Sequence, residues 1–460
     1  MKISERRTQF ITLFAPPEGG VEHAAHPTLY RIGWFGLILC LLGLLGGKAL
    51  QNVGMVLLLV ATIWERRTLA PIIKKDPLFK AIMAWILYLT IRTLFALFEF
   101  PETGPMQIKV ALGMYQIILI FIFAFWIRGT VKTVMNLYII AIIGLFLTLL
   151  LRIDWLHLRT FFDGEPGALG IHHSNVGLIF STAFIGWIIF SKTIWERGTA
   201  RYDRVRIALW VLVLAIFFQW ILLTQLRIIW AGLILWMLCA LVFLSIKIKA
   251  PVGTDLTRQA VVFVSVVLIG MGLVFTQWNT ISARLLGEET VVQKVLARDF
   301  EDMPATSFGA RTYLLEIGLE AAKKRILFGW GPATTPILIQ QGNIPESIKE
   351  HSHLHNSYLE IFVRVGLIGL ILIGMILFLL IRAAIKIQKE SPLHLQISIF
   401  SLSAFLLFGI ANMTDIYLRQ VGWFFLAIIG GVVYSFCLYG GSPTSIGQAR
   451  LPLGPNKEVG

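Results

Sequence analysis

HSHLHNSYLEIFVRVGLIGLILIGMILFLLI, residues His351–Ile381, is the stretch whose reading decides the fold of this chain. From Ile361 onward it is apolar apart from Arg364 and a few glycines, and about 20 such residues in a helix cross the ~30 Å hydrocarbon core of a bilayer. The run therefore predicts a membrane-spanning helix. At its edge stand His351, His353, His355 and Asn356, and about one turn further in come Glu360 and Arg364. Histidine changes charge near neutrality, so a cluster of histidines where water meets lipid is a candidate for proton transfer or metal binding.

The rest of the chain has the same character. It has 460 residues, of which 57% are hydrophobic and only 14% charged, and its mean hydropathy is +0.76. That excludes a soluble domain. The pattern predicts an all-α polytopic membrane protein of about twelve helices. They are expected over Gly33–Gly47, Ala49–Trp64, Phe79–Leu97, Gln107–Trp126, Val134–Leu151, Gly170–Phe190, Ile207–Leu223, Arg227–Ile246, Ala260–Phe275, Asn356–Ile381, Leu395–Met413 and Val421–Tyr439. The first two are separated only by Gly47 and Lys48 and are also compatible with a re-entrant pair. Residues 1–275 thus read as an N-terminal bundle, 276–355 as one long loop with an amphipathic helix, 356–440 as the C-terminal helices and 441–460 as a disordered tail.

A net charge of +14 would point to nucleic acid in a soluble protein. Here the charges sort by side instead. Most Lys and Arg residues fall at alternate connections, such as Arg66, Arg67, Lys74 and Lys75, or Arg382 and Lys386. The positive-inside rule then puts both termini in the cytoplasm and the long loop outside, and nucleic acid is not an expected partner. Pro16 and Pro17 break the first short apolar run, so an uncleaved anchor is expected rather than a signal peptide. Cys40, Cys239 and Cys437 form no C-x-x-C pair and read as apolar filler. In the long loop, Leu315, Leu319, Ala322 and Ile326 recur at helical steps, with Glu316, Glu320 and Lys323 one position behind. This predicts a helix lying against the membrane face.

Several residues can carry chemistry. His355 reads as a general base at the outer face, with an inert interfacial histidine and a zinc site formed with His353 and Glu350 as the alternatives. Asn356, Glu360 and Arg364 recur every four residues on one helical face, where a structural ion pair is as good a reading as a catalytic one. Gly366 and Gly369 read as close-packing positions. Arg92, Arg152, Arg159, Arg227, Arg311 and Arg419 stand at outer helix ends, where arginine is disfavoured. Two of them converging near His355 would clamp a pyrophosphate through planar bidentate bonds; carboxylate partners such as Asp154 or Asp415 are the simpler reading for any one. His172, His173 and Asn175 suit sugar hydroxyls or interfacial anchoring equally. No D-x-D occurs, so a metal-dependent glycosyltransfer site has little to be built from.

These residues carry a family resemblance. His355 and Asn356, then nine residues, then Gly366 and Gly369, resemble the H-[NSQ]-x9-G-x-x-G pattern of the O-antigen ligases of Gram-negative bacteria. His353 supplies the H-x-H-N form of the wider ligase and polymerase superfamily. Arg311 with KRILFGWG (Lys324–Gly331), and Arg227 in TQLRIIWAG, are similar to that superfamily's two arginines.

The resemblance implies a GT-C-like membrane glycosyltransferase in the inner membrane, acting at its periplasmic face. It would move polysaccharide from an undecaprenyl pyrophosphate-linked donor to the lipid A core, inverting, with no metal and no cofactor. His355 would be the base, with Arg227 and Arg311 on the pyrophosphate. His353, Asn356, Arg364, Arg152, Arg159 and His173 would contact or support substrate. An O-antigen polymerase or protein O-oligosaccharyltransferase uses the same donor. A lipid-linked sugar flippase, the alternative of another class, would place ionisable groups near mid-membrane and repeat its halves.

Overall fold

A computed structural model of the chain describes residues 13–16, 26–152, 171–191, 193, 203–247, 270–272, 275, 278, 282, 293–294, 307–387, 391–415, 417–418 and 420–439. Among these there is no strand. Most of the helix expected over Ala260–Phe275 lies outside the described residues, as do Arg159, Asp154, Arg284, Arg298, Arg419 and the tail from Gly441.

The helices, in chain order, are α1 (Pro27–Leu42), α2 (Lys48–Trp64), α3 (Arg66–Ile73), α4 (Pro77–Glu99), α5 (Gly104–Tyr115), α6 (Leu119–Ile127), α7 (Val131–Arg152), α8 (His173–Ile189), α9 (Asp203–Leu223) and α10 (Arg227–Lys247). After them come α11 (Ser307–Lys324), α12 (Thr335–Gln340), α13 (Glu346–Lys349), α14 (Ser357–Ile387), α15 (Pro392–Ala411) and α16 (Gln420–Tyr439). Among the described residues seven apolar helices are long enough to cross a membrane, α5 and α6 counting as one rod over Pro101–Ile127, and α1, α2, α8 and α10 are shorter apolar helices. These correspond to eleven of the expected segments; the chain is a polytopic all-helical membrane protein.

Local chemistry sets the starts. Proline is tolerated in the first turn, where its missing N–H has no intrahelical partner, and it opens α1, α4 and α15. Asp76 caps α4 by accepting from the Leu78 and Phe79 amides at 2.8 and 3.2 Å. Buried indoles find acceptors: Trp126 donates to Thr62 at 2.9 Å, and Trp187 and Trp210 donate to each other's carbonyls at 3.1 and 3.2 Å. Large apolar side chains such as Leu87, Phe95, Leu212, Leu238 and Phe378 face outward, as lipid-facing surface does.

Contacts between helix ends sort the bundle into two faces. Tyr434, late in α16, meets Asp76 at the start of α4, so both lie at one end. At the other end the Ser357 amide donates to the Asn412 carbonyl at 2.9 Å, joining the start of α14 to the end of α15. The histidine segment sits at this second end.

One expectation is corrected here. The helix expected over Asn356–Ile381 is not continuous: Gly366 has φ 65° and ψ −171° and interrupts it. The helix expected in the long loop is present as α11. Leu315 and Leu319 are exposed, while Ala310, Leu314 and Ala321 pack with Leu354, Leu359 and Val363. Gly318 explains the choice: an added Cβ would lie 2.5 Å from Leu359, so α11 approaches α14 on its small-residue side.

Candidate active site

The break at Gly366 builds the site. An extended residue inside a helix frees carbonyls before it and amides after it, and in an apolar bundle each must find a partner. Five of these groups find one outside the helix. The Val363 and Arg364 carbonyls accept from the Trp330 and Gly331 amides, both at 2.8 Å. The Val365 carbonyl accepts from the Tyr88 hydroxyl at 2.5 Å. The Leu367 and Ile368 amides donate to the Ile326 and Leu327 carbonyls at 2.8 and 3.3 Å. Residues 326–331 thus run along the break and hold it open. A Cβ on Gly366 would lie 2.2 Å from the Leu327 carbonyl oxygen.

The same segment is anchored to the bundle. Arg325 donates to Glu99 at 2.5 Å and stacks on the Trp330 ring at 4.2 Å. Arg92 donates to the same carboxylate at 2.9 Å, so its partner is Glu99 rather than a substrate group. The Trp330 indole donates to the Ala321 carbonyl at 2.8 Å, tying the segment to α11.

N-terminal to the break, Glu360 and Arg364 are both buried and paired at 2.5 Å. The other Glu360 oxygen accepts from the Leu354 amide at 2.8 Å. Since Leu354 lies between His353 and His355, this buried carboxylate pins the histidine loop. Arg364 also donates through Nε to Thr335 at 3.4 Å. Asn356 is the cap of α14, its side-chain oxygen accepting from the Leu359 amide at 3.0 Å.

The loop itself is neither helical nor fully extended. His355 has φ 50°, a conformation uncommon for a residue with a side chain and found where surrounding structure enforces it. The His353 and His355 rings lie 4.1 Å apart, and His351 is 5.2 Å from His355. His353 Nε2 and His355 Nδ1 stand 3.5 and 3.6 Å from one oxygen, Oδ1 of Asp415. The second oxygen of Asp415 accepts from the Ser174 hydroxyl. Ser357 locks the carboxylate's own loop: its hydroxyl donates to the Asp415 carbonyl at 2.9 Å and accepts from the Tyr417 amide at 3.2 Å. Burial, and after it the Asp415 charge, push the Tyr417 phenol well above its ordinary pKa. It stays protonated beside the carboxylate.

Asp415 and Ser174 are the residues that sequence reading misses. In the sequence Asp415 stands out only as a partner for Arg419, a lone carboxylate in an outer connection. No spacing joins it to His355. His353, His355 and Asp415 offer ligand atoms within 4.8 Å of one another, close enough for one metal ion, and Glu350 is not part of that group. Three protein ligands are also the donor count of a catalytic zinc site.

The remaining predicted residues are distributed around this centre. His173, exposed at the start of α8, stacks on His172 at 4.8 Å and precedes Ser174. Arg227 opens α10 at the same end: Leu226 and Ile229 beside it pack against Gly177, one turn from Ser174. Arg311 follows Ala310, which packs in the apolar cluster that also holds Leu354. Arg152 donates to the Gly46 carbonyl at 3.2 Å, in the turn between α1 and α2. His353 and His355 are therefore brought together with Asp415 directly, whereas Arg227 and Arg311 lie on helices packed around the group.

No curated protein matches the chain. A family model does, over residues 167–374, and its description is O-antigen ligase. The matched segment contains Ser174, Arg227, Arg311, the 326–331 segment, the histidine loop and Gly366; Asp415 lies beyond it. Over these 208 of its 460 residues the chain is similar to the O-antigen ligase family, and the match supports that family for the segment that holds most of the site.

Proposed function

We propose that the protein transfers polysaccharide from an undecaprenyl pyrophosphate-linked donor to the lipid A core oligosaccharide. The reaction takes place at the periplasmic face of the inner membrane, inverting and without metal, in a twelve-helix GT-C-like scaffold with both termini cytoplasmic. The observation that carries this reading is the pairing of His355 with Asp415 at one end of a membrane bundle in a chain similar to this family.

The chemistry follows from the groups. As the acceptor hydroxyl oxygen bonds to the anomeric carbon, the bond from that carbon to the pyrophosphate oxygen breaks and its electron pair leaves with the pyrophosphate. The hydroxyl proton passes to His355. Asp415, with Oδ1 at 3.6 Å from Nδ1, stabilises by its charge the imidazolium that forms, as a carboxylate does for a catalytic histidine. Pyrophosphate needs charge stabilisation rather than protonation, which is the role of Arg227 and Arg311. Arg364 acts indirectly, since Glu360 and Thr335 engage its guanidinium. Asn356 supports the loop as a cap, His353 shares the carboxylate, and Arg152, Arg159 and His173 serve the donor glycan.

The test is reconstitution of purified protein with undecaprenyl pyrophosphate-linked glycan and candidate acceptors. Glycan on lipid A core is the expected product; glycan on a second donor chain, on protein, or only moved across the membrane would assign a polymerase, an oligosaccharyltransferase or a flippase. His355→Ala is expected to insert normally and lose about 10²–10⁴-fold in rate. Loss of wild-type activity on strong chelation, restored by zinc, would replace the base with a metal held by His353, His355 and Asp415.

A further inference from the structure

The groups that face one another at the histidine end have the composition and spacing of a metal centre. His353 Nε2 and His355 Nδ1 stand 3.5 and 3.6 Å from Asp415 Oδ1, and one ligand atom from each residue lies within 4.8 Å of the other two. These separations are longer than the ~2.7–3.2 Å of an ordinary N–H···O bond. Around a tetrahedral zinc ion, with bonds of about 2.0–2.1 Å to nitrogen and oxygen, neighbouring ligand atoms are about 3.3–3.4 Å apart. The two imidazoles therefore need to close on the carboxylate by roughly a few tenths of an ångström to share an ion. His355 Nδ1 is buried and has no hydrogen-bond partner among the described residues. A buried ring nitrogen in that condition calls for a ligand, and an ion is one that fits.

The contacts around the three side chains are those a metal site uses. A ligating histidine fixes its other ring nitrogen with a hydrogen bond, and a ligating carboxylate is itself hydrogen-bonded. His353 Nδ1 is bonded to the Ser352 hydroxyl at 3.2 Å, and with the proton on that nitrogen the Nε2 lone pair is turned to Asp415. Asp415 Oδ2 accepts from the Ser174 hydroxyl, which leaves Oδ1 facing the imidazoles. The backbone is held as well: Glu360 fixes the Leu354 amide between the two histidines at 2.8 Å, and Ser357 fixes the Asp415 carbonyl at 2.9 Å. Two imidazoles and one carboxylate suit zinc, whereas magnesium and calcium are taken by oxygen ligands.

We propose that His353, His355 and Asp415 form an inhibitory site for zinc or a similar divalent cation. The inhibition rests on the reading of His355 as the base; the binding does not. An ion on Nδ1 of neutral His355 takes the lone pair of that nitrogen, so the single ring proton sits on Nε2. Nε2 then donates and cannot accept, and the proton of the acceptor hydroxyl has no base to go to. The ion also offsets the Asp415 charge that stabilises the imidazolium. Bound at this place, zinc opposes the transfer reaction instead of serving it.

Zinc binding to the tag-free full chain in detergent, read by competition with a fluorescent chelator, tests the site without any transfer assay. Wild type is expected to bind one zinc ion more than His353→Ala. Ser174→Ala, which keeps all three ligands and removes the bond to Asp415, is expected to weaken that ion about 10–100-fold. Thermal melting of each zinc-free variant separates lost ligation from lost folding. Equal zinc binding in all three proteins overturns the site and reassigns the zinc to other histidines, such as the stacked His172 and His173. Glycan transfer by wild type is then followed across the same zinc concentrations, with magnesium as the control. Transfer is expected to fall as the site fills, to return on chelation and to ignore magnesium. Unchanged transfer at saturating zinc overturns the inhibition, and transfer that rises with zinc makes the ion part of the catalyst. Protein that binds zinc as expected but transfers no glycan without it supports the site and overturns the functional reading instead.

Discussion

Replacing Gly366 by alanine tests the assembly of the site most directly. The residue has φ 65° and ψ −171°, a region that residues with a Cβ essentially do not enter. Holding alanine there costs about 1–3 kcal/mol. The new methyl carbon would also lie 2.2 Å from the Leu327 oxygen and 2.6 Å from the Phe328 nitrogen, both backbone atoms that cannot rotate away. The 326–331 segment must then shift, leaving the Leu367 and Ile368 amides without their acceptors, at about 1–3 kcal/mol each. Together the change is about 3–9 kcal/mol, concentrated at the break inside α14. Gly374 in the same helix is the control, because a Cβ added there would meet nothing within 4 Å. Thermal melting of both purified variants, followed by a glycan-transfer assay, is the measurement. Gly366→Ala should melt well below wild type and transfer little, and Gly374→Ala should match wild type. A Gly366→Ala protein with unchanged melting and unchanged rate would refute the claim that this break positions the site.

Three further outcomes follow from the geometry. Asp415→Asn keeps the shape but removes the charge beside both imidazoles, and transfer should fall about 10²–10⁴-fold with melting preserved; near wild-type rates would show that the carboxylate is not coupled to His355. Glu360→Gln leaves Arg364 buried without its counter-charge and should destabilise by about 3–5 kcal/mol in denaturant titration, with the double replacement Glu360→Gln and Arg364→Met recovering much of the loss. If the double variant is no more stable than the single one, the pair is not the source. Tyr88→Phe removes the donor to the Val365 carbonyl and should lower stability by about 1 kcal/mol, read from the melting curve, with a modest effect on transfer.

Much of the architecture is legible in the sequence because hydropathy acts residue by residue. A bilayer demands about 20 apolar residues per crossing wherever the segment sits, so eleven expected segments correspond to described helices without any knowledge of their partners. The helix break is not legible. Gly366 and Gly369 look like packing glycines in sequence, and only the approach of residues 326–331, some 40 positions upstream, forces Gly366 out of the helix. The side of α11 that meets the protein is not legible for a related reason. Periodicity locates an apolar stripe, but α14 selects the small side chains of Ala310, Gly318 and Ala321, and Leu315 and Leu319 are left outside.

The candidate site divides in the same way. His355, His353 and Asn356 are identifiable because they are adjacent in the chain and stand at the edge of an apolar run. Asp415 and Ser174 are not, since they are separated by 241 residues and meet only when α8 and the α15–α16 connection converge at one end of the bundle. Glu360 illustrates the boundary between the two kinds of information. Its four-residue step to Arg364 is a property of the sequence and predicts an ion pair. That its second oxygen holds the Leu354 amide, and with it the histidine loop, depends on how the chain turns before α14. The sequence alone determined a membrane-spanning helical protein with a histidine group at a helix mouth. The tertiary structure decided which carboxylate faces that group, because electrostatic partners are chosen by distance in space.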